Sequence, residues 1–238
     1  MKSVKQILAL IVMLFLCAAG FSQDFGISKM VSIPDLGIEI LNTEVTQMLY
    51  QSVMGENPSK FKGEYNPVES VSWYDAIYFC NKLSEMLGYT PVYELDGSSD
   101  VTKWNYTAQE ENGRRITKKA NANGFRLPTR DEWQKAVKGG KWYSYAYSGS
   151  DDIDAVAWYT NNSGETSHPV AQKKPNAYGL FDMSGNVMEW VWIDEDDYIQ
   201  FYRGGSYYLG DCKITAGDYD GANDSGSNLG FRIARTIK

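Results

Sequence analysis

The stretch Asp182-Met183-Ser184-Gly185-Asn186-Val187-Met188-Glu189 gathers oxygen donors within eight residues. Asp182 and Glu189 supply carboxylates, and a tight Ser-Gly-Asn turn lets Gly185 and Val187 supply backbone carbonyls. Hard oxygen ligands so grouped suit calcium. The same residues also read as a hydrogen-bonded turn without metal, with Glu189 buried against Arg232. Softer metal chemistry is poorly provided for. The chain has three cysteines and one histidine, so a zinc site would need most of them at once. Iron held by two histidines and a carboxylate is excluded. His168, followed by Pro169, lies in a loop with no second ligand and reads as a structural histidine. Without it no Ser/His/Asp set exists, and Asp196-Asp197 reads as a solvated acidic loop.

A second group of residues carries binding rather than catalytic chemistry. Residues 192–228 are rich in Tyr, Asp, Gly, Ser and Asn, and five of the 17 tyrosines fall between Tyr198 and Tyr219. Rigid amphipathic rings interleaved with small hydrogen-bonding residues make an adaptable recognition surface. The candidate contacts are Tyr198, Tyr207, Tyr208, Gly210, Asp211, Asp218, Tyr219, Asp220, Asn223, Asp224 and Ser225. Replacing Tyr207, Tyr208 and Tyr219 by Ala is expected to cost ligand and little stability. The same region is short of certain residue types. Lys, Glu, Gln, Met and Trp, which no pyrimidine-ending codon encodes, make up 52 of the 238 residues. Tyr207–Ser227 holds Lys213 alone, where proportion gives about 4.6.

The elements that must position these groups are legible in outline. The formal charge is −7 over 238 residues, which argues against a nucleic-acid partner, since duplex binding needs a basic face. Lys2 and Lys5 precede the apolar run Ile7–Leu16, too short to span a bilayer and suited to a signal peptide over residues 1–22. Leu14-Phe15-Leu16-Cys17 resembles a lipobox, so Cys17 is a candidate lipidated N-terminus. Plain cleavage after Ala19 or Ser22 is the other reading. Either way the protein is expected outside the cytoplasm: a cell-surface or outer-membrane lipoprotein, or a periplasmic or secreted protein. No other membrane segment is visible. Residues 24–238 then form one domain. Ile38-Glu39-Ile40 alternates as a strand. Thr46 caps a helix over 46–54. Ser72 opens a helix ending near Gly88, whose buried stripe is Trp73, Ile77, Cys80, Leu83 and Leu87. Cys80 is therefore a core residue, and no Cys80–Cys212 disulfide is expected. Pro91–Leu95 and Trp104–Thr107 read as strands, Asn123-Gly124 as a turn, and Thr129-Arg130-Asp131-Glu132 as a capping box. After Gly139 no long helix appears. The class is α+β, loop-rich, with a few helices and small antiparallel sheets.

Several ordered motifs carry a resemblance. Gly124-Phe125-Arg126-Leu127-Pro128-Thr129-Arg130-Asp131-Glu132-Trp133, Asn176 through Trp190, Arg203-Gly204-Gly205-Ser206 and Leu229-Gly230-Phe231-Arg232 resemble the formylglycine-generating-enzyme (sulfatase-modifying factor) family. Glu44-Val45-Thr46 and Val71-Ser72-Trp73-Tyr74-Asp75-Ala76 match its first two helices. The resemblance spans residues 30–236. It implies a C-type-lectin-like α+β fold, and a calcium ion held by Asp182 and Glu189 through side chains and by Gly185 and Val187 through the main chain. Arg126 and Arg232 are candidates for buried ion pairs, and Trp133 and Trp190 for core.

The family's aerobic enzymes oxidise a substrate cysteine with copper held by two cysteines shortly after Gly-Gly-Ser. Here that segment is shorter and contains Cys212 alone, so catalysis, copper, haem and nucleotide are not expected. The tyrosine-rich region and its residue-type pattern resemble variable proteins of diversity-generating retroelements. That resemblance implies a non-catalytic, surface-displayed, monomeric binding protein for a protein or cell-surface ligand. Residues 192–235 would vary on a scaffold pinned by Arg126, Trp190 and Arg232. The alternative is a formylglycine-type oxidase acting on a sulfatase cysteine.

Overall fold

Caps and local apolar spacing account for the helices. The computed structural model describes residues 29–104, 116–140, 144–194 and 199–237. β1 (Met30–Ile33) and β2 (Ile38–Leu41) form a hairpin around a short 3-10 turn that closes at Gly37 with φ +65. Next comes α1 (Gln47–Met54), where the Leu49 N–H donates to Thr46 Oγ1 at 3.2 Å. In α2 (Trp73–Met86) the reciprocal box expected of Ser72 and Asp75 is present: Asp75 N–H donates to Ser72 Oγ at 3.1 Å and Ser72 N–H to Asp75 Oδ2 at 2.9 Å. β3 (Tyr93–Leu95) pairs with β4 (Ile116–Lys118). Trp104 ends a 3-10 turn rather than opening a strand, and residues 105–107 lie outside the described residues. β5 (Phe125–Arg126) leads into α3 (Arg130–Ala136), capped by Thr129 and Glu132 as the box predicts. The one-turn α4 (Ile153–Val156) is the only helix described after Gly139. β6 (Met188–Trp190), β7 (Ile199–Arg203), β8 (Gly217–Gly221), β9 (Leu229–Phe231) and β10 (Ala234–Thr236) complete the described elements.

Two four-stranded sheets organise the molecule, in the orders β1-β2-β10-β5 and β8-β7-β6-β9. The expectation of wholly antiparallel sheets needs one correction, because β6 and β9 run parallel, with Met188, Glu189 and Trp190 opposite Leu229, Gly230 and Phe231. A parallel pair needs a long crossover, and the tyrosine-rich segment between them supplies it. Gly230 is required there, since a Cβ would stand 2.2 Å from the Val68 carbonyl oxygen. The chain then steps from β9 in one sheet to β10 in the other, and Arg232 sits at that crossing.

The main core joins α1, α2 and β9, where the Phe79 ring stacks on Tyr50 and meets Phe231 edge-on. A second cluster gathers Trp133, Leu180, Met183 and Val191 beneath β1 and β2. A small third one holds Ala157, Tyr159 and Cys212. Trp133 and Trp190 are fully buried, as expected. Cys80 and Cys212 are free thiols in different clusters. Among the described residues no helix is long and apolar enough to cross a membrane.

Candidate binding face over a buried ionic frame

Arg232 and Glu189 make a two-pronged ion pair with neither side chain exposed to any useful degree. Arg232 Nε donates to Glu189 Oε2 at 2.7 Å and Nη2 to Oε1 at 2.6 Å. The guanidinium also donates to the carbonyls of Leu41 and Phe181, and Trp133 Nε1 donates to Glu189 Oε2 at 2.7 Å. Five segments of chain are thus held on one pair. A buried pair of this geometry mainly fixes arrangement, and removing one partner strands the other's charge. The second pair is also two-pronged but end-on: Arg126 Nη1 and Nη2 donate to Glu132 Oε2 and Oε1 at 2.6 and 2.8 Å, and Nη2 also reaches Thr236 Oγ1. Both arginines therefore pin loops in the way their motifs imply.

Around Arg232 the acids outnumber the base. Glu44, which sequence spacing does not single out as a ligand, is buried beside Asp182 and Glu189. Burial first, then the charges of Asp182 and Glu189, hold its carboxyl well above the usual range. Burial likewise lifts Asp182 to about 6. One oxygen on each, Glu44 Oε2 and Asp182 Oδ1, has no hydrogen-bond partner. The remaining oxygens accept from the backbone, Asp182 Oδ2 from Ala171 N–H at 2.7 Å and Glu44 Oε1 from Val187 N–H at 3.4 Å. Both oxygens of Glu189 are taken by Arg232 and Trp133. Gly185, at φ +82, packs so closely that a Cβ would stand 2.3 Å from the Trp158 carbonyl oxygen. The Gly185 and Asn186 N–H groups donate out of the segment, to the Gly204 and Trp158 carbonyls. The two unpartnered carboxylate oxygens, on Asp182 and Glu44, match a hard cation in donor type. No cluster of three or more His, Cys, Asp or Glu with metal-binding geometry occurs among the described residues.

His168 stacks on Trp158 with ring centroids 3.8 Å apart, and its Nε2 lies 2.7 Å from the Ser163 carbonyl oxygen, which fits its structural reading. Cys212 is fully buried, its Sγ 3.7 Å from the Ser206 carbonyl oxygen, and burial pushes its thiol up to about 12. A thiol held protonated in a packed site is a poor nucleophile or copper ligand. Among the described residues no second thiol stands beside it.

The tyrosine-rich segment divides into fixed and open parts. Tyr208 and Tyr219 are 63% and 55% exposed. Gly210, Asp211, Asp218, Asp220, Asp224 and Ser225 are also exposed, and Asn223 is half-buried. A Cβ at Gly210 would meet nothing nearer than Thr160 Cγ2 at 4.0 Å, so that position accepts side chains. Gly205, by contrast, has φ +69 and no room, because a Cβ there would stand 2.7 Å from Cys212 Sγ. Tyr207 is a correction: it is 3% exposed. Its ring meets Phe61 edge-on at 5.5 Å and its hydroxyl shares a hydrogen bond with Ser227 Oγ. It belongs to the scaffold, and little ligand contact is left to it. Tyr198 and Cys17 lie outside the described residues.

β8 is an edge strand and turns its residues to two sides. Tyr219 meets Phe201 of β7, while Asp220 accepts a hydrogen bond from Tyr202 Oη at 3.4 Å. Burial first, then Asp220 and Asp218, push the Tyr202 phenol up to about 12. Asp218 Oδ1 accepts from Tyr219 N–H and Asp224 Oδ2 from Gly221 N–H. Side-chain oxygens on these N–H groups blunt the edge against pairing with another strand. Asp218 and Asp220 thus point to the opposite side of β8 from Tyr219, towards Tyr202 and Gln200 of β7.

Residues 21–237 match the sulfatase-modifying factor enzyme 1-like domain. The chain is 37% identical over 229 residues to a protein named chaperone protein LppX of Paenibacillus barcinonensis, covering 81% of this chain and 78% of that one. It is 30% identical over 147 residues to the formylglycine-generating enzyme of Streptomyces coelicolor, covering 47% of this chain and 46% of the enzyme. Among solved structures, Treponema denticola variable protein 1 superposes with a TM-score of 0.77 at 31% identity, covering 92% of this chain and 98% of that one. The fold expected from the motifs is the one observed, and the chain belongs to the sulfatase-modifying factor enzyme 1-like family.

Proposed function

We propose that this chain is an exported, non-catalytic binding protein. Its family scaffold presents a tyrosine- and aspartate-rich C-terminal surface to a protein or cell-surface ligand. The single observation that carries the reading is the split within one short segment. Tyr208 and Tyr219 stand exposed while Gly205, Tyr207 and Cys212 are locked into the frame. Tyr is the residue that binding surfaces favour, because its rigid ring offers contact area and its hydroxyl a hydrogen bond. The similarity to a variable protein over nearly the whole chain supports the same reading. Diversification of residues 192–235 belongs to the proposal. Its genetic mark is a near-copy of the encoding DNA, differing mainly at adenines, beside a reverse transcriptase gene. Lipidation at Cys17 is the proposed means of display, and Cys17→Ala would abolish incorporation of labelled fatty acid. A calcium ion at Asp182 and Glu44, with the carbonyls of Gly185 and Val187, is the proposed structural cofactor.

The test is ligand capture by the purified protein from labelled cell-surface proteins, run beside Tyr208→Ala and Tyr219→Ala. Specific partners lost in both variants are expected; partners indifferent to both would overturn the reading. The oxidase alternative is tested with a cysteine-containing sulfatase peptide, copper and oxygen. No turnover is expected, and formylglycine formation would contradict the proposal.

A further inference from the structure

One side of the β7–β8 hairpin carries Arg203 and no acid among its described strand residues, and Arg130 of α3 approaches the same side. The register sets Ile199, Phe201 and Arg203 opposite Gly221, Tyr219 and Gly217. The Phe201 and Tyr219 rings meet with centroids 5.6 Å apart. Arg130, the first residue of α3, holds its Cζ 5.6 Å from the Phe201 centroid. Arg203 lies back across Gly217, where a Cβ would stand 2.7 Å from its Cδ and Nη1.

Neither arginine has an ion pair among the described residues. Arg203 Nε is buried without a hydrogen-bond partner. Among the described residues, the acids near Arg130 make no ion pair with either arginine. Asp194 holds Lys118 at 2.7 Å, and Asp131 borders a shallow cleft of about 180 Å³ with Arg130 but makes no ion pair with it. Burial first, and then the charge of Arg130, hold the Arg203 guanidinium below its usual range. Two mutually repelling guanidiniums, one with an unsatisfied buried donor, form an unbalanced arrangement in a protein of net charge −7. A ligand oxyanion beside the two guanidiniums would supply the missing charge, while the buried Arg203 Nε itself stays out of that contact.

We propose that Arg203 and Arg130, walled by Phe201 and Tyr219, bind a sulfate- or phosphate-type group carried by the ligand of this face. A tetrahedral oxyanion offers acceptors in several directions and so serves two guanidiniums arriving from different elements. A planar carboxylate matches one fork at a time. Tyr219 gives an organic sulfate or phosphate an aromatic surface beside the anion. The proposal rests on the binding-face reading only in that the anion belongs to a larger ligand.

The test follows the arginine Nε–Hε resonances of the purified protein by nuclear magnetic resonance. Sodium sulfate, sodium phosphate and phenyl sulfate are titrated against sodium chloride at matched ionic strength. The Arg203 resonance should shift saturably with each oxyanion and not with chloride. Arg130→Gln should weaken the effect at least tenfold, and Gly217→Ala, which displaces Arg203, should do the same. Phenyl sulfate should bind more tightly than sulfate, and the difference should vanish in Tyr219→Ala. Equal shifts in chloride, or no saturation, would overturn the site. Binding of inorganic sulfate with exclusion of phenyl sulfate would overturn its use by a ligand-borne group. If oxyanion shifts fail while capture still depends on Tyr208 and Tyr219, only the anion site falls. If capture ignores both tyrosines while the shifts persist, the binding-face reading falls instead.

Discussion

Tyr207 keeps 3% of its surface exposed and Tyr208 keeps 63%, although the two are adjacent and identical in type. Tyr207→Ala should therefore cost about 3 kcal/mol, the usual range for emptying a buried aromatic site. Tyr208→Ala should change stability by less than about 0.5 kcal/mol. Thermal melts of the two variants check the contrast, and equal losses would refute it. Arg232→Met should cost about 3–5 kcal/mol, because Glu189 is left buried without its partner. Arg232→Lys should recover only part of that, since an ammonium cannot reproduce the fork. At this scale the sequence was readable by residue type and only partly by partner. Arg126 and Arg232 stand out as ion-pair candidates and Glu189 is one reading for the partner of Arg232, yet nothing local says that Trp133 donates to Glu189 or that Leu41 and Phe181 accept from Arg232. Glu44 lies in a recognised motif, but its place beside Asp182 depends on contacts made across most of the chain. The two tyrosines differ only through what the fold puts against them.

The helices were legible because their signals are local. Thr46, Ser72 with Asp75, and Thr129 with Glu132 each act within four residues, and all three caps form. The parallel β6–β9 pair was not legible, because short strands of three residues carry no mark of direction. Arg126 and Glu132 connect β5 to α3, which makes this junction sensitive to acid. Burial works to raise the Glu132 carboxyl, but the hydrogen bonds and charge of Arg126 outweigh it, so the net shift is downward. A depressed carboxyl contributes its stability above the unfolded value of about 4.3 and loses it as pH falls through the folded one. The melting temperature of the wild type should thus fall below about pH 4 more steeply than that of Glu132→Gln. Parallel acid limbs in the two proteins would count against the pair.

At the scale of the whole molecule, two sheets meet at one buried ionic crossing, and exposed tips stand outside it. If a cation neutralises Asp182 and Glu44, added calcium should raise the melting temperature and a chelator should lower it. Asp182→Asn should blunt both effects, and a melting temperature indifferent to calcium and chelator would dismiss the ion. The central claim is that a fixed frame carries a surface free to change. The direct measurement is protease resistance after substituting every position from 204 to 228 singly. The account predicts broad tolerance at Tyr208, Gly210, Asp211, Tyr219, Asp220 and Ser225, and loss of the folded state for most substitutions at Gly205, Tyr207, Cys212 and Ala222. Equal intolerance in the two groups would contradict it, making the exposed tyrosines part of the scaffold.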